Sequence, residues 1–138
     1  MNSTKPYLLL SLCLVCIVSI VAAAIIDDSS LSAKQEGEGI RVRWSSRNEN
    51  GVASYAIRRA EGASGVAEKI GSIAAKGDGT NYDYLDQSVF KTSGRYFRYS
   101  IVACGPQGAE LSATPFIGTS MVSSTARSTW GSIKAMFR

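Results

Sequence analysis

The chain has 138 residues, 45% apolar and 19% charged, with a formal net charge of +4 and no histidine. That composition suffices for one folded domain with an appendage and excludes disorder along the whole length. The missing histidine removes the usual general base, the commonest metal ligand and every Ser-His or Cys-His nucleophile pairing.

The surplus charge lies at the two ends. Lys5 stands alone before the first apolar run, residues 27–119 hold eleven Lys or Arg against eleven Asp or Glu, and the last nineteen residues carry Arg127, Lys134 and Arg138 with no acid. A central region balanced in this way lacks the electrostatic footprint of a nucleic-acid binder, so no nucleic-acid partner is expected.

Tyr7 to Ile26 is a run of twenty residues without a charge, and it passes through Ala22-Ala23-Ala24. A positive start, an apolar centre and small residues in that order predict a signal peptide over residues 1–24, cleaved after Ala24. The alternative is an uncleaved membrane anchor over residues 7–26, an N-terminal apolar helix long enough to cross roughly 30 Å of hydrocarbon. Both versions place the rest of the chain outside the cytoplasm, secreted or extracytoplasmic in one case and membrane-anchored in the other. Cys13 and Cys16 sit inside this run and read as small apolar residues. Cys104 is then alone in the folded part, so no intradomain disulfide is expected, and its place after an inward Ala103 points it outward, as a thiol with no role or one that joins two copies in a disulfide.

From Ser29 the chain reads as short strands separated by turn residues. Ser30–Gln35 is the first, ended by Glu36-Gly37-Glu38-Gly39. Ile40–Ser45 alternates at period two, which puts Ile40, Val42 and Trp44 on one face. Asn50-Gly51 forms a turn that favours positive φ. Ser54–Arg58 carries Tyr55 and Ile57 on one face. In Ala67–Ala74 the spacing of Ile70 and Ile73 breaks the alternation, which predicts a bulge or bend at Gly71. Tyr82–Asp86 follows the turn Gly77-Asp78-Gly79, with Asp83 facing solvent between two tyrosines. The strand from about Arg95 places Phe97, Tyr99, Ile101 and Ala103 on one face. Gly105-Pro106-Gln107-Gly108 turns into a last strand near Ala109–Ala113, and Pro115 prevents central pairing beyond it. Seven such strands predict an all-β, two-sheet antiparallel sandwich over residues 29–119.

Val42-Arg43-Trp44, Gly51 to Ile57, Tyr82 to Asp86, and Phe97 to Ala103, in that order and spacing, make this region resemble a fibronectin type III domain, an immunoglobulin-like sandwich. The resemblance implies that Trp44 is the inward strand-B tryptophan, that Gly108 and Ser112 lie at the turn into the final strand, and that such a module binds through loops or sheet edges and performs no chemistry. The position of the family's corner tyrosine holds Phe97, which has no hydroxyl.

Beyond the sandwich, residues 120–138 change character. Ser120–Thr129 reads as a Ser/Thr linker. Trp130, Ile133 and Phe137 then recur at i, i+3 and i+7, one side of a short helix that also carries Lys134 and Arg138. So short a helix is marginal in water and needs a surface, which makes Trp130, Ile133, Lys134, Phe137 and Arg138 the candidate partner-binding residues. Other candidates read as structure. Trp44, Tyr55, Phe97 and Tyr99 are core packing. Lys76-Gly77-Asp78 resembles a short adhesive tripeptide, but it precedes a strand and serves a turn. Asp78, Asp83 and Asp86 lack the alternating oxygens of a calcium loop. Arg41, Arg43, Arg58, Arg59, Arg95 and Arg98 are expected on solvated strand faces.

The reading that results is an exported, non-enzymatic, fibronectin type III-like protein-binding or spacer module with no cofactor. Its partner is a protein, with membrane association through the N-terminal run or the C-terminal tail. The alternative is a carbohydrate-binding or accessory module of a secreted enzyme system, which requires an exposed row among Tyr82, Tyr84 and Tyr96.

Overall fold

The computed structural model describes residues 24–89, 95–122 and 124–137, the side chains of 124–129 excepted. The expected N-terminal helix, with Lys5, Cys13 and Cys16, lies outside the described residues, as does Arg138. Eight strands and one helix follow in order: β1 (Ile26–Glu36), β2 (Gly39–Ser46), β3 (Ser54–Glu61), β4 (Glu68–Ala74), β5 (Asn81–Asp86), β6 (Tyr96–Cys104), β7 (Glu110–Ala113), β8 (Ile117–Ser120) and α1 (Ser124–Met136).

Two antiparallel sheets result. One runs β1-β2-β5; the other runs β4-β3-β6, with β7 and β8 both paired to β6. The expected seven strands become eight because the last one is interrupted. β7 pairs Val102 with Ala113 and β8 pairs Tyr99 with Ile117, so the two are halves of one edge strand parted around Pro115, which has no amide hydrogen to give the ladder. Thr114 repairs part of the break: its amide donates to the Ile101 carbonyl (2.9 Å) and its hydroxyl accepts from the Ile101 amide (3.0 Å).

The core lies between the sheets and consists of the alternating residues. Ile40, Val42 and Trp44 of β2 meet Tyr55 and Ile57 of β3 and Phe97, Tyr99, Ile101 and Ala103 of β6, all essentially without solvent contact. Trp44 stacks on Tyr82 with ring centroids 5.3 Å apart and presents an edge to Tyr55 at 5.8 Å. These are the offset and edge-on geometries that the charge distribution of aromatic rings favours.

The bulge falls where the spacing of Ile70 and Ile73 requires it. Ile57 pairs with Gly71 and Arg58 with Lys69, which leaves Ile70 as the extra residue. Gly71 is needed there for a second reason: a Cβ would stand 2.6 Å from the ring of Tyr84, which reaches across from β5 in the other sheet and donates its hydroxyl to the Ile70 carbonyl (3.0 Å). Gly51 likewise takes φ +79 in a turn closed by the Val52 amide donating to the Glu49 carbonyl (2.9 Å).

Four expectations are corrected. β1 begins at Ile26, four residues before the expected start, and its Ile26 is buried in the core, so the end of the apolar run belongs to the sandwich. Cys104 is not an exposed thiol: it is buried with Ala56 and Val102 in a small cluster apart from the main core. Arg59 is not on a solvated face, because the alternation of Tyr55 and Ile57 carries it inward, over the Phe97 ring and against Asp86. The stretch read as a Ser/Thr linker is strand to Ser120 and helix from Ser124.

Candidate functional site

Most of the strand arginines are engaged with carboxylates of the sandwich. Arg41 bridges Glu36 and Asp83, Arg43 reaches Glu36, Arg47 pairs with Asp27, Arg58 with Glu110 and Arg95 with Glu61. Arg98 donates to the Gly62 and Gly65 carbonyls and covers the Phe116 ring.

Two buried carboxylates tie the sheets together at opposite ends of β5. Asp86, 2% exposed, accepts from the Tyr99 hydroxyl (2.8 Å), the Arg59 guanidinium (2.7 Å) and the amide and hydroxyl of Ser88. Burial pushes this carboxyl up, but the hydrogen bonds from Ser88, Arg59 and Tyr99 together outweigh it and hold it below its ordinary value. Burial, with Asp86 beside it, pushes the Tyr99 hydroxyl up, so it stays a donor. Tyr99 thereby ties β6 to the end of β5 in the opposite sheet. At the other end Glu49, 9% exposed, accepts from the hydroxyls of Tyr55 (3.1 Å) and Tyr82 (2.5 Å) and from the Gly77 amide (2.5 Å). Here too burial raises the carboxyl and the hydrogen bonds, Tyr82 first, bring it below its usual value.

These networks absorb several candidates. In Lys76-Gly77-Asp78 the Lys76 amide donates to the Tyr82 hydroxyl (2.7 Å), the Gly77 amide to Glu49, and Asp78 accepts the Glu49 amide (2.6 Å), so the tripeptide is held into the loop that closes the sandwich. Asp78, Asp83 and Asp86 are not brought together: Asp83 faces outward on Arg41 and Asp86 inward on Tyr99. Among the described residues no cluster of three acidic or cysteine ligands is present. Nor do the three tyrosines form a row. Tyr82 is buried, Tyr84 is half-buried over Gly71, and Tyr96 lies exposed over Gly118.

The helix contrasts with all of this. Trp130 is 73% exposed, Ile133 40% and Phe137 87%, and Lys134 is also in solvent; Met136, which the i, i+3, i+7 spacing passed over, is 82% exposed. Of the five expected partner-binding residues, the structure therefore places Trp130, Ile133, Lys134 and Phe137 along one exposed segment, and Arg138 falls outside the described residues. The entry to this helix is tied down. Met121 is buried in the core, and the side-chain amide of Gln35 near the end of β1 accepts from the Val122 amide (3.0 Å) and donates to the Val122 carbonyl (2.7 Å). Among the described residues no helix is long and apolar enough to cross a membrane.

The class these features define is a two-sheet antiparallel β-sandwich with a C-terminal helix. No protein-family model matches the chain. No curated protein matches it in sequence either. Among solved structures it is similar to the pectate lyase PelI from Erwinia chrysanthemi, crystallised in complex with tetragalacturonic acid: 19% identity, 65% of this chain and 27% of that one, TM-score 0.51. At that identity the likeness concerns the fold alone, and the chain spans about a quarter of that protein's length.

Proposed function

We propose that the chain is an exported, non-catalytic, fibronectin type III-like module that acts as a spacer and carries its binding element, α1, at one pole. The observation that supports this reading most is where the chain enters and leaves the sandwich. It enters at Ile25, whose carbonyl accepts from the Arg47 amide beside the end of β2, and leaves at Val122, held by Gln35 beside the start of β2. Along β2 the partners of Ile26 and Glu36 are Ser46 and Gly39, seven steps apart. At about 3.3 Å per step that separates the two poles by roughly 23 Å.

The two-sheet arrangement favours the family likeness, since Trp44 and Tyr99 come from opposite sheets and meet in one core. Ile25 and Ile26 are used by the sandwich, which favours a leader ending at Ala24 over an anchor running to residue 26. The carboxylates Glu49 and Asp86 are each spent on fold tyrosines, which favours a scaffold over an acid–base site. The carbohydrate-binding alternative has less behind it, because its three tyrosines are dispersed.

Intact mass and cell fractionation test export. Loss of residues 1–24, or retention in a membrane fraction, agrees with it; unprocessed protein in the cytosol overturns it. Spin labels on Asp28→Cys and Val122→Cys test the spacer reading. A separation of roughly 20–30 Å is expected from the strand rise, and a separation below about 10 Å overturns it.

A further inference from the structure

We infer that α1 is a surface anchor that lies on a membrane displaying anionic lipid. The inference deepens the spacer reading by naming what the far pole meets, and it rests on that reading only for where α1 is presented.

Three observations carry it. First, the apolar side chains described in α1, with Phe137 one residue past its end, are exposed, and by helical spacing they share a side. At 100° per residue Met136, Ile133, Phe137 and Trp130 span an arc of about 120°, the width of an amphipathic stripe, while Gly131, Ser132 and Ala135 occupy the remainder. Second, the charge is of one sign. No Asp or Glu follows Glu110 in the sequence, while Arg127, Lys134 and Arg138 do, and Lys134 borders the apolar arc. A protein groove that seats a helix usually carries a mixed polar rim; a helix edge with cations alone matches the uniform negative charge of an acidic lipid surface. Five of the sandwich's carboxylates, Glu36, Glu61, Asp83, Asp86 and Glu110, are already paired with arginines of the sandwich itself. Third, Trp130 and Lys134 stand one turn apart, an indole and an ammonium of the kind that settle at the boundary between acyl chains and headgroups.

Trp130 supplies its own readout, because the other tryptophan, Trp44, is buried in the core and blind to added lipid. The exported protein is titrated with vesicles of phosphatidylcholine containing phosphatidylglycerol and with vesicles of phosphatidylcholine alone. The expected result is a blue shift of Trp130 emission with the anionic vesicles, reversed by raised salt, absent in Trp130→Phe, and weakened about tenfold or more by Lys134→Glu. Because the signal belongs to Trp130, a retained N-terminal run that bound both vesicle types would not imitate it. Absence of a shift with anionic vesicles overturns the inference, as does an equal shift with both vesicle types. A shift that appears with protein concentration and no lipid assigns the apolar side to a second copy and also overturns it. A shift produced by an envelope protein fraction but not by vesicles assigns it to a protein groove, with the same consequence. None of these outcomes bears on the distance between the poles, so the spacer reading stands or falls separately.

Discussion

Asp86 shows how much one residue contributes when its position is inward and its chemistry polar. A carboxylate deprived of water is costly, and it is kept here because Tyr99, Arg59 and Ser88 replace the lost hydration. Removing it with Asp86→Ala leaves Arg59 half-buried and unmatched, and the expected loss is about 3–5 kcal/mol by chemical denaturation. The pH dependence follows from the direction of the shift. Asp86 and Glu49 both sit below their ordinary values in the folded chain, so their stabilisation is complete above those ordinary values and is lost as pH falls through the lowered ones. The melting temperature should be level from roughly pH 6 to 8 and fall below about pH 4. Asp86→Asn should melt lower at neutral pH and show a shallower acid decline; an unchanged acid decline would remove Asp86 from the account. Trp44→Ala, by contrast, empties space between Tyr55 and Tyr82 and should cost about 3–5 kcal/mol at any pH in that range. Trp44 was legible as core from its alternation with Ile40 and Val42. Extending the same parity from Tyr55 and Ile57 by one more step places Arg59 inward as well, yet its charge argued for solvent, and only Asp86 reconciles the two.

At the scale of elements, β4 and the β7–β8 edge carry the irregularities that the residue order demands. The spacing of Ile70 and Ile73 does not suit an uninterrupted strand, so a bulge at Gly71 was legible; that the ring filling the space comes from the opposite sheet was not, since Tyr84 is thirteen residues further on and half-buried. Gly71→Ala should therefore cost about 1–3 kcal/mol by crowding Tyr84. Tyr84→Ala should relieve most of that penalty in a double-mutant cycle, and additive losses would show that the two do not touch. Pro115 announced the end of regular pairing, but not that the chain would resume at Ile117 on the same β6 edge. Resumption depends on the free donors and acceptors of Phe97 to Tyr99, which belong to a strand some twenty residues earlier. The helix is the opposite case: its apolar spacing was visible, while its start at Ser124 ran against a Ser/Thr composition that reads as linker.

For the molecule as a whole, the sandwich and α1 are expected to be energetically separate. Met121, buried in the core, and Val122, held by Gln35, tie the chain to the sandwich, and the described side chains beyond them are in solvent. Deleting residues 127–138 should leave the melting temperature within a few degrees of the parent, as is usual when only exposed surface is removed. A collapse of the melt would mean that the helix is part of the core. The proposed export, family likeness and spacer role rest on the leader-like apolar run, the order of the aromatic strands and the separation of the poles.

What the amino-acid order determined on its own was periodic: the seven segments that become strands, the apolar side of β2, β3 and β6, where a glycine must bend the chain, and that the last residues carry cations without acids. Local geometry enforces these patterns, because side chains leave a pleated backbone alternately and a helix every hundred degrees. What only the tertiary structure decided was pairing at long range: Tyr99 with Asp86, Tyr82 with Glu49, Tyr84 over Gly71, Gln35 on Val122. Each of these contacts joins residues whose separation along the chain says nothing of their distance in space, and each stands where a polar group is buried or a backbone is crowded, so its partner is set by how the two sheets close.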